Sequence, residues 1–306
     1  MLAHLRRSTG LQRGILVTGL VLTTVVLLAA LLAPVLAPYG FAQLADDAGR
    51  FGSQQPPSAH HLLGTTVGGY DVLSRVIWGA RTAVLVIVAG VSGSLVLGVT
   101  LGLVSGYVGG PLDRVLVVVF DAMFALPGLL LAVVVAIVVS GGQASLVGGV
   151  VSAAVAIGFV FVPQYFRVTR AETVRLRDAP FVESARVVGV PGTRILAGHV
   201  LRNATRSLPL IITLNASESI FTLAGLGFLG FGIEPSSAAE WGYDLNKALS
   251  DTAAGIWWTG LFPGLAIVVT VLGLTLVGES LNDLADPRLR RRRAVRVPTV
   301  ATEVTP

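Results

Sequence analysis

The sequence predicts an all-α polytopic membrane protein with six transmembrane helices. Three observations lead to this fold class: 53% of the 306 residues are hydrophobic, 13% are charged, and the apolar residues are gathered into long runs. Soluble domains carry about 25% charged residues. A chain with so few charges could not cover its own surface in water, so its composition favours the membrane class.

The apolar runs set the number of spans. A bilayer core about 30 Å thick needs about 20 apolar residues in a helix. The first run follows several arginines, as in a signal peptide, but it is longer than a typical signal-peptide core and no clean cleavage site follows, so we expect it to be retained. Six stretches are long enough to span, at 15–37, 83–105, 115–139, 144–166, 208–231 and 256–278.

The distribution of charge predicts the orientation. Of the 22 lysine and arginine residues, 18 fall in segments that share a side with the N-terminus and 4 fall in segments on the other side. Because cytoplasmic loops are enriched in these residues, both termini are predicted to be cytoplasmic in the plasma (inner) membrane. The predicted order is a cytoplasmic tail (1–14), a first helix (15–37), an extracytoplasmic segment (38–82), a core membrane domain (83–280) with a cytoplasmic loop (167–206), and a cytoplasmic tail (281–306).

Small residues recur every four positions along the second predicted span. On a helix they share one face, where a neighbouring backbone can approach closely. We expect this face to form a helix–helix interface, either static or mobile, through Gly90, Ser94, Gly98, Gly102, Gly106 and Gly110.

Two acidic residues fall within predicted spans, Asp121 in the third and Glu218 in the fifth. A charged Asp in mid-membrane costs about 2.5–3.5 kcal/mol on insertion scales, so such residues normally face a bundle interior or a wet cavity. Both are candidates for lining a substrate path. Hydrogen bonding between helices is the alternative role.

The predicted cytoplasmic loop contains a short amphipathic helix. Asp178 is a favoured residue for the helix N-cap, and Pro180 suits a first helical turn. Phe181, Ala185 and Val188 are spaced to share one face, and Gly189 stops the helix. A helix of two to three turns is marginal alone, so a partner protein is expected to receive it.

The same loop carries a recognisable spaced motif, Glu183-Ser-Ala-x3-Gly189-x9-His199-Val-Leu201. It resembles the cytoplasmic signature of importer permeases of the ATP-binding-cassette family, and the peptide and nickel branch of that family commonly has His at the position of His199. Arg202 departs from the pattern, which expects Pro there.

Further motifs resemble the same branch in the same order, so the resemblance covers roughly residues 60–290. Thr66 and Tyr70 depart from it, where Asp and Arg are usual. The matching motifs are Gly64-Thr65, Gly69-x-Asp71-Val-Leu-Ser-Arg75, Gly79-Ala-Arg81, Gly106-Tyr107-x-Gly109-Gly110, Leu226-Gly-Phe-Leu-Gly-Phe-Gly232, Trp241-Gly242, Trp257-Trp258-x3-Phe262-Pro-Gly264 and Gly278-Glu-x-Leu281-x-Asp283-x-x-Asp286-Pro-Arg288.

The resemblance implies a permease subunit that forms half of a translocation path for di- and oligopeptides. Nickel chelates and glutathione are the other cargoes of related importers. The implied partners are a second permease, a different chain as is usual in this branch, one or two ATP-binding subunits that carry ATP and Mg, and an extracytoplasmic substrate-binding protein. No cofactor, metal, nucleic acid or catalytic residue is expected in this chain.

The resemblance also implies that the loop helix near 179–189 is a coupling helix seated on the ATPase. The residues expected at that joint are Phe181, Glu183, Ala185, Arg186, Gly189 and His199. Membrane lipid is a further expected partner, because the basic run Arg290–Arg293 just past the last span would lie against anionic headgroups.

Two other function classes compete with the permease. A stand-alone secondary transporter or channel would use Asp121 and Glu218 as ion or proton carriers. An intramembrane enzyme would need a nucleophile with its base, a carboxylate pair or a metal cluster, and the sequence has no such motif. The pair His60-His61 is expected at the surface of a proline-rich segment.

Overall fold

The computed structural model describes residues 10–140 and 146–285 of the chain, and most of them are helical. Within these two ranges, five helices are long and apolar enough to cross a membrane. The expected lipid contact of Arg290–Arg293 and the motif end at Arg288 lie outside the described residues. The five long helices are α1 (Gly10–Leu31), α3 (Val72–Val108), α6 (Leu146–Leu176), α10 (Leu208–Phe228) and α12 (Trp258–Ala285).

Shorter elements connect these helices. A two-stranded antiparallel hairpin pairs β1 (Ala45–Asp46) with β2 (Gly49–Arg50). One stretch, Leu196–Val200, is π-helical. The short helices are α2 (Ala33–Leu36), α4 (Gly110–Phe124), α5 (Gly128–Ser140), α7 (Pro180–Val187), α8 (Gly192–Ile195), α9 (Leu201–Ala204) and α11 (Trp241–Ala253).

The third predicted span, 115–139, is not one helix. It is divided between α4 and α5, which meet at an angle of 102°, and the described residues hold six spans only if this bent pair counts as one. The break comes just before Pro127. Proline has no backbone N–H and disfavours helical geometry in the residue before it, so the helix ends there instead of continuing with a mild kink.

The small-residue face of α3 packs along α6, as its spacing predicts. A Cβ placed on Gly98 would lie 2.5 Å from the Cβ of Tyr165, and one placed on Gly102 would lie 2.7 Å from the carbonyl oxygen of Phe166. Such approach distances leave no room for a side chain, so the interface depends on hydrogen atoms at these positions. Gly110 is the exception, because it begins α4 and has nothing within 4 Å of an added Cβ.

The main apolar core lies where α3, α6, α10 and α12 pack together. Val86 of α3, Ile157 of α6 and Ile220 of α10 are all buried there, with 0%, 0% and 1% of their surface exposed. α1 packs against α12 at the edge of this bundle, with Gly19 facing Leu276. The outward faces of these helices remain apolar, as in helices that contact lipid.

Candidate functional site

The loop between α6 and α10 contains the helix that the sequence predicts. Helix α7 begins at Pro180, a position where the missing N–H of proline costs nothing. The prediction that Asp178 caps this helix is wrong: Ala179 is the N-cap residue and makes no side-chain cap bond. The carboxylate of Asp178 instead accepts a hydrogen bond from Arg177 Nε at 3.2 Å.

The end of α7 is set by Gly189. Its φ angle is +81°, a left-handed conformation that residues with a Cβ adopt only under strain. The N–H of Gly189 donates to the carbonyl of Arg186 at 2.9 Å, and the N–H of Val190 donates to that of Ala185 at 3.0 Å. These two bonds form a Schellman motif, which gives the helix a fixed end.

The inner side of α7 is anchored in a small core of its own. Val182 is fully buried, and Ala185 is half-buried beside it. Leu103, near the end of α3, belongs to the same cluster, so α7 is packed onto the membrane helices and does not hang free. The other buried members are Ile195, Val200 and Ala204.

The outer side of α7 is apolar and exposed. Val187 has 90% of its surface exposed, Val188 80% and Phe181 40%. Of the predicted face, Phe181 and Val188 are therefore exposed, whereas Ala185 is half-buried toward Val182. The helix therefore has apolar residues on two sides. Val182 packs in the chain's own core, whereas Val187 and Val188 on the other side remain exposed.

The remaining residues predicted at the ATPase joint are distributed around this helix. Glu183 and Gly189 are exposed, and Arg186 stands over the ring of Tyr107 at 5.6 Å. His199 lies apart, in the π-helical stretch, where its side chain is exposed and its carbonyl accepts a bond from Asn203 at 2.8 Å. Arg202, which replaces the family's Pro, is exposed within α9.

A cluster of charged and polar side chains joins α3, α4 and α6 near α7. Arg170 of α6 donates to both carboxylate oxygens of Asp113 in α4, at 2.5 and 2.6 Å. Ser105 of α3 donates to the same carboxylate at 2.5 Å, and Arg177 reaches the carbonyl of Gly106 at 3.4 Å. The sequence reasoning missed this group, because no local pattern links positions 57 residues apart.

Asp121 has a partner that the sequence did not reveal. Its carboxylate lies 3.7 Å from Nε of Arg167, and each side chain is about half-exposed, at 52% and 53%. The guanidinium of Arg167 also stands over the ring of Phe124 at 5.0 Å. Charged residues in membrane spans seldom face lipid, so the pair stays a candidate for lining a water-filled path.

Glu218 lies on an exposed face of α10, between Leu214 and Phe221. Within the described part of the chain, its carboxylate has no ion pair or hydrogen bond, and only its carbonyl is used, by Thr222 at 3.1 Å. The structure does not bring Glu218 and Asp121 together as a pair.

The opposite end of the bundle is covered by a cap, which we define as residues 37–71 and 229–257. Its central contact is a buried ion pair in which Arg75 Nε lies 2.7 and 2.8 Å from the two oxygens of Asp244. Trp241 donates to the carbonyl of Val76 at 3.0 Å, beside Gly79, where a Cβ would clash with the indole. Motifs far apart in sequence therefore meet in this cap.

His61 corrects another expectation. The pair His60-His61 was predicted at the surface, but His61 is buried, with 5% of its surface exposed, and its Nδ1 lies 2.9 Å from Asp71. Asp71 in turn accepts from the N–H of Ser74 and caps α3. His61 thus supports the start of a membrane helix.

Glu240 caps α11 from a buried position in the cap. Its carboxylate accepts hydrogen bonds from the N–H groups of Gly242 and Tyr243, both at 2.7 Å. Burial nevertheless raises the pKa of Glu240 to about 8, because the loss of water around the carboxylate outweighs these bonds. Burial also raises the pKa of Asp244, although Arg75 opposes the change.

Comparisons with known proteins agree with this architecture. The family described as binding-protein-dependent transport system inner membrane component matches residues 98–291. The dipeptide transport system permease protein of Alkalihalophilus pseudofirmus is 34% identical over 90% of this chain and 86% of its own length. The di/tripeptide transport system permease protein of Pseudomonas aeruginosa is 35% identical over 89% of this chain and 88% of its own.

The name of a third relative indicates a different cargo. The glutathione transport system permease protein of Pectobacterium atrosepticum is 36% identical over 76% of this chain and 75% of its own length. Because the family match and these relatives cover most of the sequence, the chain belongs to the inner membrane components of binding-protein-dependent transport systems, the permease subunits of ATP-binding-cassette importers.

Proposed function

We propose that this chain is one of two permease subunits of an importer for di- and oligopeptides, and that α7 couples it to a separate ATPase. The single observation that carries the coupling role is the two-sided packing of α7. Its inner side is anchored by Val182, and its outer side leaves Val187 and Val188 almost fully exposed. An apolar helix face in a polar loop is a docking surface for a partner groove.

The anchoring explains how force would pass from the ATPase to the membrane helices. α7 shares its core with Leu103 of α3, and the neighbouring Asp113–Arg170 pair ties α4 to α6. A displacement of α7 therefore moves three helix ends as one body, since packed interiors transmit strain instead of absorbing it. ATP and Mg act on the partner subunits, and this chain contributes no catalytic group.

The loop of residues 167–206 is assigned to the cytoplasm in this proposal, together with both termini, because it holds the largest share of the arginines. The cap then faces the extracytoplasmic side, where a substrate-binding protein would deliver cargo. Peptide cargo is supported by the names of two relatives, and the second permease by the half-exposed charges within the spans.

The translocation path is proposed to run beside Asp121, with Arg167, and beside Glu218. These three residues place ionisable groups on exposed faces of helices that otherwise present apolar side chains. A wet path shared with the second permease would hydrate them at low cost. Peptides are zwitterionic, so a path with both signs of charge suits them.

The coupling role is tested by co-purification from the native membrane, comparing wild type with the double variant Val187→Lys and Val188→Lys. Wild type is expected to bring down ATP-binding chains and a second permease, whereas the double variant keeps the permease and loses the ATPases. Leu249→Lys is the matched control, because Leu249 is also apolar and exposed, at 58%, but lies in the cap.

Two outcomes would overturn the proposal. The double variant could hold its ATPases as firmly as the control does, which would exclude α7 as the joint. Alternatively, wild type could purify alone and move a peptide into liposomes under an ion gradient, which would make the chain a secondary transporter.

A further inference from the structure

Tyr107 lies in the last turn of α3, next to the loop that carries α7. It is half-buried and packs against the small core around Val182, to which Leu103, one turn earlier on α3, also belongs. Helix residues four positions apart share one face. The end of α3 therefore presents two side chains to the same loop, Leu103 within the core and Tyr107 at its edge.

The ring of Tyr107 lies beside two elements of that loop. The guanidinium of Arg186, on α7, stands over the ring at 5.6 Å. A Cβ placed on Gly192, the first residue of α8, would lie 3.3 Å from the hydroxyl oxygen of Tyr107 and 3.6 Å from its Cε1. A cation over an aromatic face is attracted by the negative potential of that face. Tyr107 thus links a membrane helix to both α7 and α8.

The backbone around Tyr107 is held against α6. Arg177 donates to the carbonyl of Gly106 at 3.4 Å, and a Cβ placed on Gly106 would lie 2.8 Å from the Cβ of Thr173. Helices that approach this closely leave the helix end little room for independent movement. A push on Tyr107 would therefore be passed to α3 and α6 instead of being absorbed by fraying of the last turn.

The contact with Arg186 differs in kind from the core beside it. Val182 is fully buried, so replacing it would leave a cavity and weaken the whole loop. Arg186 is exposed and directly precedes Val187 and Val188, the apolar residues on the outer side of α7. A partner that displaces these two valines also displaces Arg186 over the ring of Tyr107.

We propose that Tyr107 is a positioning residue for coupling, which takes up the displacement of α7 through Arg186 and passes it to α3. The proposal rests on the proposed function, in which α7 docks on an ATPase. A rigid aromatic ring suits this role, because it presents a broad face over which a cation stays attracted as it shifts. α3 then carries the displacement along its 37 residues toward the cap.

The experiment uses the complete importer, co-purified from the native membrane into lipid nanodiscs, and follows hydrogen–deuterium exchange of this chain by mass spectrometry. Exchange is compared without nucleotide and with a non-hydrolysable ATP analogue and Mg²⁺. In wild type, the nucleotide is expected to change exchange in α7 and in the last turns of α3. In Tyr107→Leu, the change in α7 should persist, whereas the change in α3 should shrink by at least threefold.

Conservative variants separate coupling from folding. Tyr107→Phe keeps the ring and should respond as wild type does, and Arg186→Lys keeps a cation and should retain most of the response in α3. Arg186→Met should resemble Tyr107→Leu. Arg194→Met is the matched control, because Arg194 is also an exposed arginine of this loop but lies on α8, and its loss should leave the response unchanged.

The proposal is overturned if Tyr107→Leu keeps the full response of α3, or if wild type responds in α7 but not in α3. It is also overturned if Tyr107→Leu raises exchange throughout the loop before nucleotide is added, which would make the residue a support for folding. If α7 itself does not respond in wild type, the coupling role of α7 fails as well. A failure confined to α3 leaves that role intact, so the two failures are distinguishable.

Discussion

The two ends of the helix bundle differ in how far their side chains are covered by this chain itself. In the cap, several side chains brought out of water have polar partners inside the chain, as Arg75 has Asp244 and His61 has Asp71. At the α7 end, one side of the helix is anchored, but Val187 and Val188 are left exposed. The cap is largely completed within this chain, whereas the outer side of α7 is left uncovered, as the proposed coupling to an ATPase requires.

This difference separates stability from assembly. The two ends are joined by α3, and the residues from Arg75 to Gly106 span roughly 45 Å at 1.5 Å per residue. Substitutions in the cap should lower the free energy of unfolding. Substitutions on the outer face of α7 should instead weaken the binding of partner subunits. Four measurements test this division: three follow substitutions in order of decreasing effect on stability, and one follows the dependence of stability on pH.

The largest effect is expected for Arg75→Met. Removing the guanidinium leaves the carboxylate of Asp244 buried without a partner, and breaking a buried pair in this way costs about 3–5 kcal/mol. The free energy of unfolding, measured by denaturant titration in detergent micelles, should fall by that amount.

Arg81→Met is the matched control for Arg75→Met. Arg81 is on the same helix, but it is exposed, and its guanidinium stands over the ring of Trp78 at 5.5 Å. It should lose about 1 kcal/mol or less. Adding Asp244→Leu to Arg75→Met should recover much of the loss, and a double variant as unstable as the single one would contradict this account of the pair.

Gly98→Ala probes the interface between α3 and α6 that joins the two ends. The new Cβ would lie 2.5 Å from the Cβ of Tyr165 and 2.8 Å from the carbonyl oxygen of Val162, so the helices must separate. Overpacking of this kind costs about 1–3 kcal/mol. The loss should appear as a lower free energy of unfolding.

Gly93→Ala is the control for that interface, because nothing lies within 4 Å of a Cβ added there. It should be neutral or more stable by up to about 1 kcal/mol, since Ala is the better helix former. Equal destabilisation by both substitutions would show that the close approach at Gly98 is not what makes alanine costly there.

Glu240 should make stability fall as pH rises. Its pKa is about 8 in the folded protein against an ordinary value of 4.5, so between these values the folded state holds a proton that the unfolded state has released. The contribution of Glu240 to stability is therefore fully present at or below pH 4.5 and is lost up to about pH 8, by at most about 1.4 kcal/mol per pH unit.

Glu240→Gln isolates this contribution, because glutamine resembles the protonated carboxyl and does not titrate. The difference in unfolding free energy between the two proteins should vary with pH in the window from 4.5 to 8 and be constant above it. A difference that does not change between pH 5 and 8 would mean that Glu240 is ionised when folded.

The smallest effect on stability is expected for Val187→Lys with Val188→Lys. Both side chains are exposed, at 90% and 80%, and surface substitutions usually change stability by less than about 0.5 kcal/mol. The same protein should lose its ATPase partners. A loss of folding stability as large as that of Gly98→Ala would show that both sides of α7 are packed within this chain.

The sequence could predict the features that depend on near neighbours. The apolar runs predicted the spans, the four-residue spacing from Gly90 to Gly106 predicted the close packing of α3, and the pattern ending at Gly189 predicted α7. In each case the signal is local, because hydropathy, helical periodicity and helix stops act over a few residues. The order of the motifs along the chain then indicated the protein family.

The tertiary structure decided the contacts between residues that are far apart in the sequence. Which apolar side of α7 is covered follows from the core around Leu103, not from its own periodicity. The partners of Arg75 and Asp121 are 169 and 46 residues away along the chain, and no local pattern could have paired them. Composition and spacing thus determined that this chain lies in a membrane and where its helices run, whereas packing determined which charges are matched and which face is left open for a partner.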